Sequence, residues 1–263
     1  MKKMIFIFFF FPLIVYSQEN RQFNIGSAKI LTGNVYAVSI FVSDRNNQWE
    51  YEEKLQMIKL RNDAQVWLQD QASRYGVTVN FENGNFGLDN DIKLSSIPSM
   101  LQEDANYMVT TTLNAVGWNS SLQFYEAQKK RMGFENMFVL IFVKGMGQGY
   151  GIPYLETLRS GELFYLEGAV IFQKFDQGEI VGMTIPAGSI AHEILHLFGA
   201  WDLYMTHTQT SEVEEKAKII FFDSIMHRMS FNLNDLIVDE LTAWLIGWHN
   251  NPEYWFESFN PRP

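Results

Sequence analysis

The chain of 263 residues contains no cysteine. Disulfide bonds, thiolate metal ligands and lipid attachment through an N-terminal cysteine are therefore excluded. Apolar residues make up 47% of the sequence, which is enough for an ordinary hydrophobic core to carry the stability. The sequence also lacks internal repeats and any linker rich in Pro, Gly or Ser. We therefore expect residues 18–263 to form a single domain.

Long apolar runs are confined to the N-terminus. The first 17 residues, "MKKMIFIFFFFPLIVYS", join two lysines to about thirteen apolar residues and end in small residues typical of a signal-peptidase site. A membrane-spanning helix needs roughly twenty apolar residues, which disfavours the alternative of a retained anchor. We expect residues 1–17 to be a signal peptide, the mature protein to be exported to a periplasm or secreted, and no stable association with a membrane.

Basic residues are scarce. The chain has 20 Lys and Arg against 30 Asp and Glu, a formal net charge of −10. Loss of Lys2 and Lys3 with the signal peptide leaves 18 basic residues against the 30 acidic ones, a charge of −12. Phosphate backbones and anionic lipids attract basic proteins, so we expect no nucleic-acid partner. The pattern of charge does not indicate an oligomeric state.

Nucleotide-binding loops are also missing. The stretch "KGMGQGYGIPY", residues 144–154, has a glycine at every second position from Gly145 to Gly151. However, no Lys-Ser/Thr pair follows it, and the GxGxxG spacing is absent. We interpret this stretch as a mobile loop that leads into an edge strand.

The order of predicted elements indicates an α+β fold with a mixed sheet backed by helices. The predicted helix at 49–75 shows a slip in its apolar spacing around Arg61 and Asn62 and is closed by Gly76. Strands are predicted at residues 34–44, 77–83, 137–143 (buried on both faces) and 163–173, a helical insertion at about 98–130, and a C-terminal helix at about 235–248.

The stretch "AHEILHLFGAWDLY", residues 191–204, carries the candidate chemistry. Residues i and i+4 share a helix face, so His192 and His196 can present imidazole nitrogens to one tetrahedral zinc ion. Glu193 is angled to the space beside the ion. There it can take the proton of a zinc-bound water and later pass it to a leaving amine. The sequence therefore predicts a Zn²⁺ site with Glu193 as the general base and acid.

Short HExxH matches also occur by chance on exposed helices. The residues around this one are strongly apolar, namely Ile194, Leu195, Leu197 and Phe198, so little of the helix can face solvent. A buried pair of histidines without a metal would be costly. This context favours zinc over a decorated surface helix.

The segment "HEILHLFGAWD" matches HExxHxxGxxD and resembles the aspartate-ending signature of metzincin zinc metalloendopeptidases, as in snapalysin-type enzymes. The resemblance implies a sharp turn at Gly199, Asp202 as the third metal ligand, and a methionine turn beneath the metal. Met226 in "DSIMHRM" fits that methionine, although core packing is the ordinary role of any one of the twelve methionines. A metzincin-like catalytic domain and a polypeptide substrate are further expectations.

Two features of the site stay open in the sequence. Several metzincins place a tyrosine two residues after the methionine to stabilise the oxyanion, but Arg228 stands there, and proximity alone suggests His227 or Arg228 as donors. For the third ligand, His207 and Glu215 are the alternatives to Asp202, since Glu215 has the spacing of the gluzincin branch. Of the three candidates, only Asp202 accounts for a glycine at position 199, because a short loop must return the chain from the helix to the metal.

We therefore expect an exported zinc metallopeptidase. Its substrate would lie extended along an edge strand, at about residues 149–154 or 163–173. A zinc hydrolase of a non-peptide amide or ester is one alternative, and a non-catalytic metal-binding scaffold or adhesin is another. Glu193 argues against the scaffold, because a structural metal site does not need a general base.

Overall fold

The computed structural model describes residues 26–95, 97, 105–152, 164–176, 178–206 and 209–260. The predicted signal peptide and His207 lie outside the described residues. The described strands are β1 (Gly33–Ser43), β2 (Val79–Phe86), β3 (Ile92–Lys93), β4 (Asn136–Met146), β5 (Tyr150–Ile152) and β6 (Gly168–Lys174). The described α-helices are α1 (Tyr51–Arg74), α2 (Ala105–Ala115), α3 (Ser121–Met132), α4 (Ala187–Leu197), α5 (Ser211–Ile220) and α6 (Glu240–Leu245).

The strands form one sheet in the order β2-β1-β4-β6-β5, with the short β3 paired to β1. All pairings are parallel except the antiparallel pairing of β5 with β6. Alternate residues of a strand point to opposite faces, and β4 divides accordingly: Phe138 and Leu140 join one buried cluster, Val139 and Ile141 the other. The prediction of a mixed sheet backed by helices is confirmed, as is the burial of β4 on both faces.

Helices cover the two faces separately. Side chains of α1, α4, α5 and α6 belong to the cluster on one face, and those of α2 and α3 belong to the cluster on the other. The helices α2 and α3 fall in or overlap the interval 98–130, for which the sequence predicts a helical insertion. In the described part of the chain, none of the helices combines the length and apolar character needed to cross a bilayer.

The predicted slip in α1 does not interrupt the helix, which runs unbroken through Arg61 and ends before Gly76 at a φ of +70°. Arg61 takes an inward position that an apolar residue would normally fill, and burial lowers its pKa to about 10. Its guanidinium donates to Ser39 Oγ at 2.7 Å and to Asn85 Oδ1 at 2.8 Å. Because the buried donors have partners, the polar residue is compatible with a continuous helix.

A buried lysine of α1 holds the loop between β2 and β3. Lys54 Nζ donates to the carbonyl oxygens of Gly87 at 2.7 Å and Leu88 at 2.9 Å. It also forms an ion pair of 2.6 Å with Asp91, and both side chains are at least nine-tenths buried. Three oxygens of one loop therefore converge on a single ammonium group.

Two predicted elements are shorter than expected. The strand predicted at 163–173 begins only at Gly168, because the preceding Glu167 is buried and accepts hydrogen bonds from the Ser27 and Ala28 amides. The C-terminal helix is only Glu240–Leu245. Its start is fixed by Asp239, whose carboxylate accepts the Thr242 amide at 2.9 Å, while residues 236–238 run as extended chain.

Candidate metal centre

Helix α4 and the turn after it bring together the three predicted ligands. His192 and His196 lie four residues apart on one face, and their Nε2 atoms are 3.0 Å from each other. Asp202 Oδ1 lies 3.1 Å from His196 Nε2 and 3.3 Å from His192 Nε2. We call this group, His192, His196 and Asp202, the candidate metal centre.

The other nitrogen of each histidine is engaged by a backbone carbonyl. His192 Nδ1 lies 3.0 Å from the Ile225 oxygen, and His196 Nδ1 lies 2.8 Å from the Ala200 oxygen. A carbonyl can only accept, so each Nδ1 carries the hydrogen in the neutral ring and each Nε2 presents a lone pair. Two lone pairs and a carboxylate oxygen therefore converge on one point. Metal-binding histidines in proteins are oriented in this way.

The size of the triangle fits zinc. Two ligand atoms that each lie 2.0 to 2.1 Å from a tetrahedral ion are about 3.3 Å apart. The three edges of the candidate metal centre measure 3.0, 3.1 and 3.3 Å. Two imidazoles and one carboxylate also match the donor set of catalytic zinc sites that have three protein ligands.

The turn at Gly199 completes the centre. Gly199 has a φ of +99°, a conformation that other residues rarely adopt, and it follows the last turn of α4 directly. The turn places the Ala200 carbonyl against His196 and returns the chain so that Asp202 faces both histidines. One glycine thus orients His196 and brings Asp202 beside it.

The electrostatics of the centre favour positive charge. Burial by itself lowers the pKa of His196, but the Asp202 carboxylate outweighs burial and raises it to about 9. Burial raises the pKa of Asp202, but the two histidines outweigh it and hold the pKa well below its usual range. The Asp202 carboxylate therefore favours positive charge among these three side chains.

Glu193 lies beside the centre and is only 8% exposed. Burial raises its pKa, while the neighbouring histidines act in the opposite direction. Its Oε2 is buried and accepts no hydrogen bond from the described residues. A carboxylate with a raised pKa and a spare acceptor oxygen is suited to take up and release a proton.

Hydrogen bonds connect the segment that contains Met226 to the candidate metal centre. The Met226 side chain is fully buried, and its carbonyl accepts the Leu203 amide at 2.8 Å. The Met226 amide donates to Ser224 Oγ at 3.0 Å, and Ser224 Oγ in turn lies 2.5 Å from Asp239 Oδ2. Since the adjacent Ile225 carbonyl holds His192, this network links the start of α6 to a ligand of the centre.

Replacing Met226 with leucine is expected to leave zinc affinity within about threefold of wild type. Leucine preserves the volume of this packed position, so the expected loss of stability is below about 1.5 kcal/mol. Thermal unfolding and competitive zinc titration measure the two effects. Complete loss of zinc binding would mean that the methionine has a role other than packing.

A cavity of about 320 Å³ opens beside His192 and Glu193. His227 and Arg228 both line it. However, Arg228 donates to the Asp235 carbonyl at 2.9 Å and its guanidinium lies 4.8 Å from the centre of the Phe222 ring. These contacts hold the Arg228 guanidinium against neighbouring residues of the same segment.

Tyr204 is a residue of the site that sequence reasoning missed. It lines the same cavity, and its ring stacks on His192 with 6.1 Å between ring centres. Burial is the chief cause that raises its pKa, and the negative charges of Asp202 and Glu193 raise it further. The only signal in the sequence was its place two residues after the proposed third ligand.

The alternative ligand Glu215 and the remaining histidine near the C-terminus lie away from the centre. Glu215 is on α5 with its side chain 71% exposed, and it pairs with Lys218 at 2.7 Å. His249 stacks on Tyr75 and contacts the Glu240 carbonyl at 2.9 Å. Neither belongs to the candidate metal centre.

Comparison with models of known protein families gives no match, and a search of curated proteins gives none either. The likeness to metzincins therefore rests on the short sequence motif alone.

Proposed function

We propose that the protein is an exported, zinc-dependent metallopeptidase of metzincin type. His192, His196 and Asp202 would hold the zinc, and Glu193 would act as general base and acid. The observation that carries the proposal is the convergence of two histidine lone pairs and one carboxylate oxygen, edge lengths 3.0 to 3.3 Å, beside a buried glutamate. A purely structural zinc site has no need of that glutamate.

The side chains divide the chemistry among them. A zinc ion held by the three ligands supplies a Lewis acid that lowers the pKa of a coordinated water and polarises a carbonyl. Glu193 receives a proton on its carboxylate and delivers it to the leaving nitrogen, as its burial and raised pKa favour. Ile225 and Ala200 hold the imidazoles through their carbonyls, so that both Nε2 atoms keep their orientation.

Tyr204 is the proposed donor to the developing oxyanion. Its ring stacks on His192 and lines the cavity, so it lies beside the candidate metal centre. Arg228 is less suited, because its guanidinium is anchored by the Asp235 carbonyl and by Phe222. A hydroxyl held in place before the reaction stabilises new negative charge without reorganising solvent.

An extended polypeptide is the substrate that the sheet favours. The strand β6 pairs with β4 on one side and β5 on the other, so the prediction that it offers an edge is wrong. The strand β5 is the last strand of the described sheet and lies beside α4, so we propose that an extended substrate main chain aligns with it.

Metal removal tests the proposal. We expect one zinc per chain, loss of casein cleavage on treatment with a chelator, and recovery on addition of zinc, because the metal supplies the Lewis acid. Metal analysis and a casein assay before and after dialysis provide the measurements. Cleavage that persists in zinc-free protein would rule out the proposed chemistry.

A further inference from the structure

Two glycines of the glycine-rich stretch face α4. Gly149 comes directly before β5 and Gly151 lies within it, so the two positions share one face of the strand. Tyr150, between them, packs against the cluster on the opposite face of the sheet. The sequence gives no reason for two glycines at these positions, because an edge strand ordinarily carries side chains on both faces.

The space that these glycines leave open is taken by Glu193. A Cβ on Gly149 would lie 3.2 Å from Glu193 Oε1. A Cβ on Gly151 would lie 2.8 Å from the Glu193 carbonyl oxygen, and real Cβ contacts essentially never fall below 3.0 Å. It would also lie 3.2 Å from Leu197 Cδ2 and 3.4 Å from Glu193 Oε2, the last an ordinary van der Waals distance. Neither glycine is among the described residues with positive φ. The two positions therefore require a residue without a side chain because space is limited. The conformational freedom of glycine does not explain them.

The strand that carries Gly151 is fixed in the sheet, where Gly151 pairs with Ala169 of β6. Its backbone therefore presents a rigid surface to Glu193 of α4, and this surface restricts the directions in which the carboxylate can point.

We propose that Gly149 and Gly151 are positioning residues for the general base, which they hold beside the candidate metal centre because Gly149 leaves room for its carboxylate and Gly151 lets β5 approach the backbone of α4 at Glu193. The inference rests on the proposed function, since it deepens the role assigned to Glu193. The proposal assigns a role to the glycine-rich stretch. The edge of β5 would align the substrate, and the face of β5 toward α4 would position Glu193.

Kinetics on Gly149→Ala test the positioning role. The added methyl group must displace the carboxylate by a few tenths of an ångström. We expect kcat for casein-derived peptides to fall about tenfold, and Gly149→Val to lower it about 100-fold, because misplacement by 1 Å can cost that factor. KM and zinc affinity should stay within about twofold of wild type. An unchanged kcat, or a fall explained by lost zinc, would overturn the proposal.

Thermal unfolding provides a readout that does not depend on activity. Gly149→Ala should lower the Tm of the wild-type protein by about 2 to 4 °C, the range for a modest loss in a chain of this size. In a Glu193→Ala background the carboxylate is absent, so the same substitution should lower Tm by less than half as much. Gly147→Ala is the matched control, since its Cβ would meet the Phe172 ring at 2.4 Å and should act equally in both backgrounds.

The two experiments separate the inference from the function beneath it. Equal destabilisation by Gly149→Ala in both backgrounds would show that the carboxylate does not occupy this space, and the proposal would fail. An inactive wild-type protein with a positive thermal cycle would overturn the proposed function while supporting the contact. Reduced kcat together with a positive cycle supports both.

Discussion

Replacing Glu193 with glutamine is expected to lower kcat for peptide hydrolysis by about 10³-fold and to leave one zinc per chain. A positioned acid or base contributes typically 10²- to 10⁴-fold, and glutamine keeps the shape of glutamate without its basicity. The carboxylate is not among the three converging ligand atoms, so zinc affinity should be retained. Steady-state kinetics and metal analysis on the same preparation measure both quantities.

Glu215→Gln is the control for this substitution. It makes the same chemical change on α5, where the side chain is exposed and pairs with Lys218. Its kcat should match wild type. If Glu193→Gln cleaves peptide at the wild-type rate, another group is the base, and the assignment of Glu193 has to be abandoned.

Replacing Asp202 with alanine is expected to weaken zinc binding by at least about tenfold, and activity should fall with metal occupancy. Loss of a residue that merely orients a ligand already costs 10- to 100-fold, and Asp202 Oδ1 lies within 3.3 Å of both histidine Nε2 atoms. Competitive titration against a chromogenic chelator measures the affinity.

Glu215→Ala and His207→Ala are the discriminating controls for the third ligand. Both residues are alternatives in the sequence, and both variants should bind zinc as wild type does. Glu215 is exposed on α5 and is not part of the candidate metal centre. The opposite result, with zinc retained by Asp202→Ala and lost by Glu215→Ala, would assign the protein to the gluzincin pattern.

The proximity of His192, His196 and Asp202 was predictable because it is local. The spacing of His192 and His196 on one helix follows from the helical repeat, and the glycine that ends the helix is three residues before Asp202. The buried strand β4 could be predicted for a similar reason, since a continuous apolar run indicates a strand that is buried on both faces. Each of these features depends on residues that are close in sequence.

Features that depend on distant residues were missed. Apolar spacing predicts a slip at Arg61, but Ser39 and Asn85 supply the partners that allow the helix to continue. The predicted C-terminal helix is cut short at Asp239, which Ser224 holds from another segment. The close approach of Gly149, directly before β5, to Glu193 of α4 leaves no trace in the sequence of either segment alone.

The loop held by Lys54 has a consequence for how the protein responds to its surroundings. Two carbonyls and a carboxylate around one cation resemble the oxygen shell by which many exported proteins bind calcium, but here the cation is part of the polypeptide. Because the Lys54 ammonium group is covalently part of the chain, neither dilution nor a chelator can remove it. We therefore expect the loop between β2 and β3 to keep its conformation at low calcium concentration, where loops that depend on a bound calcium ion lose their conformation.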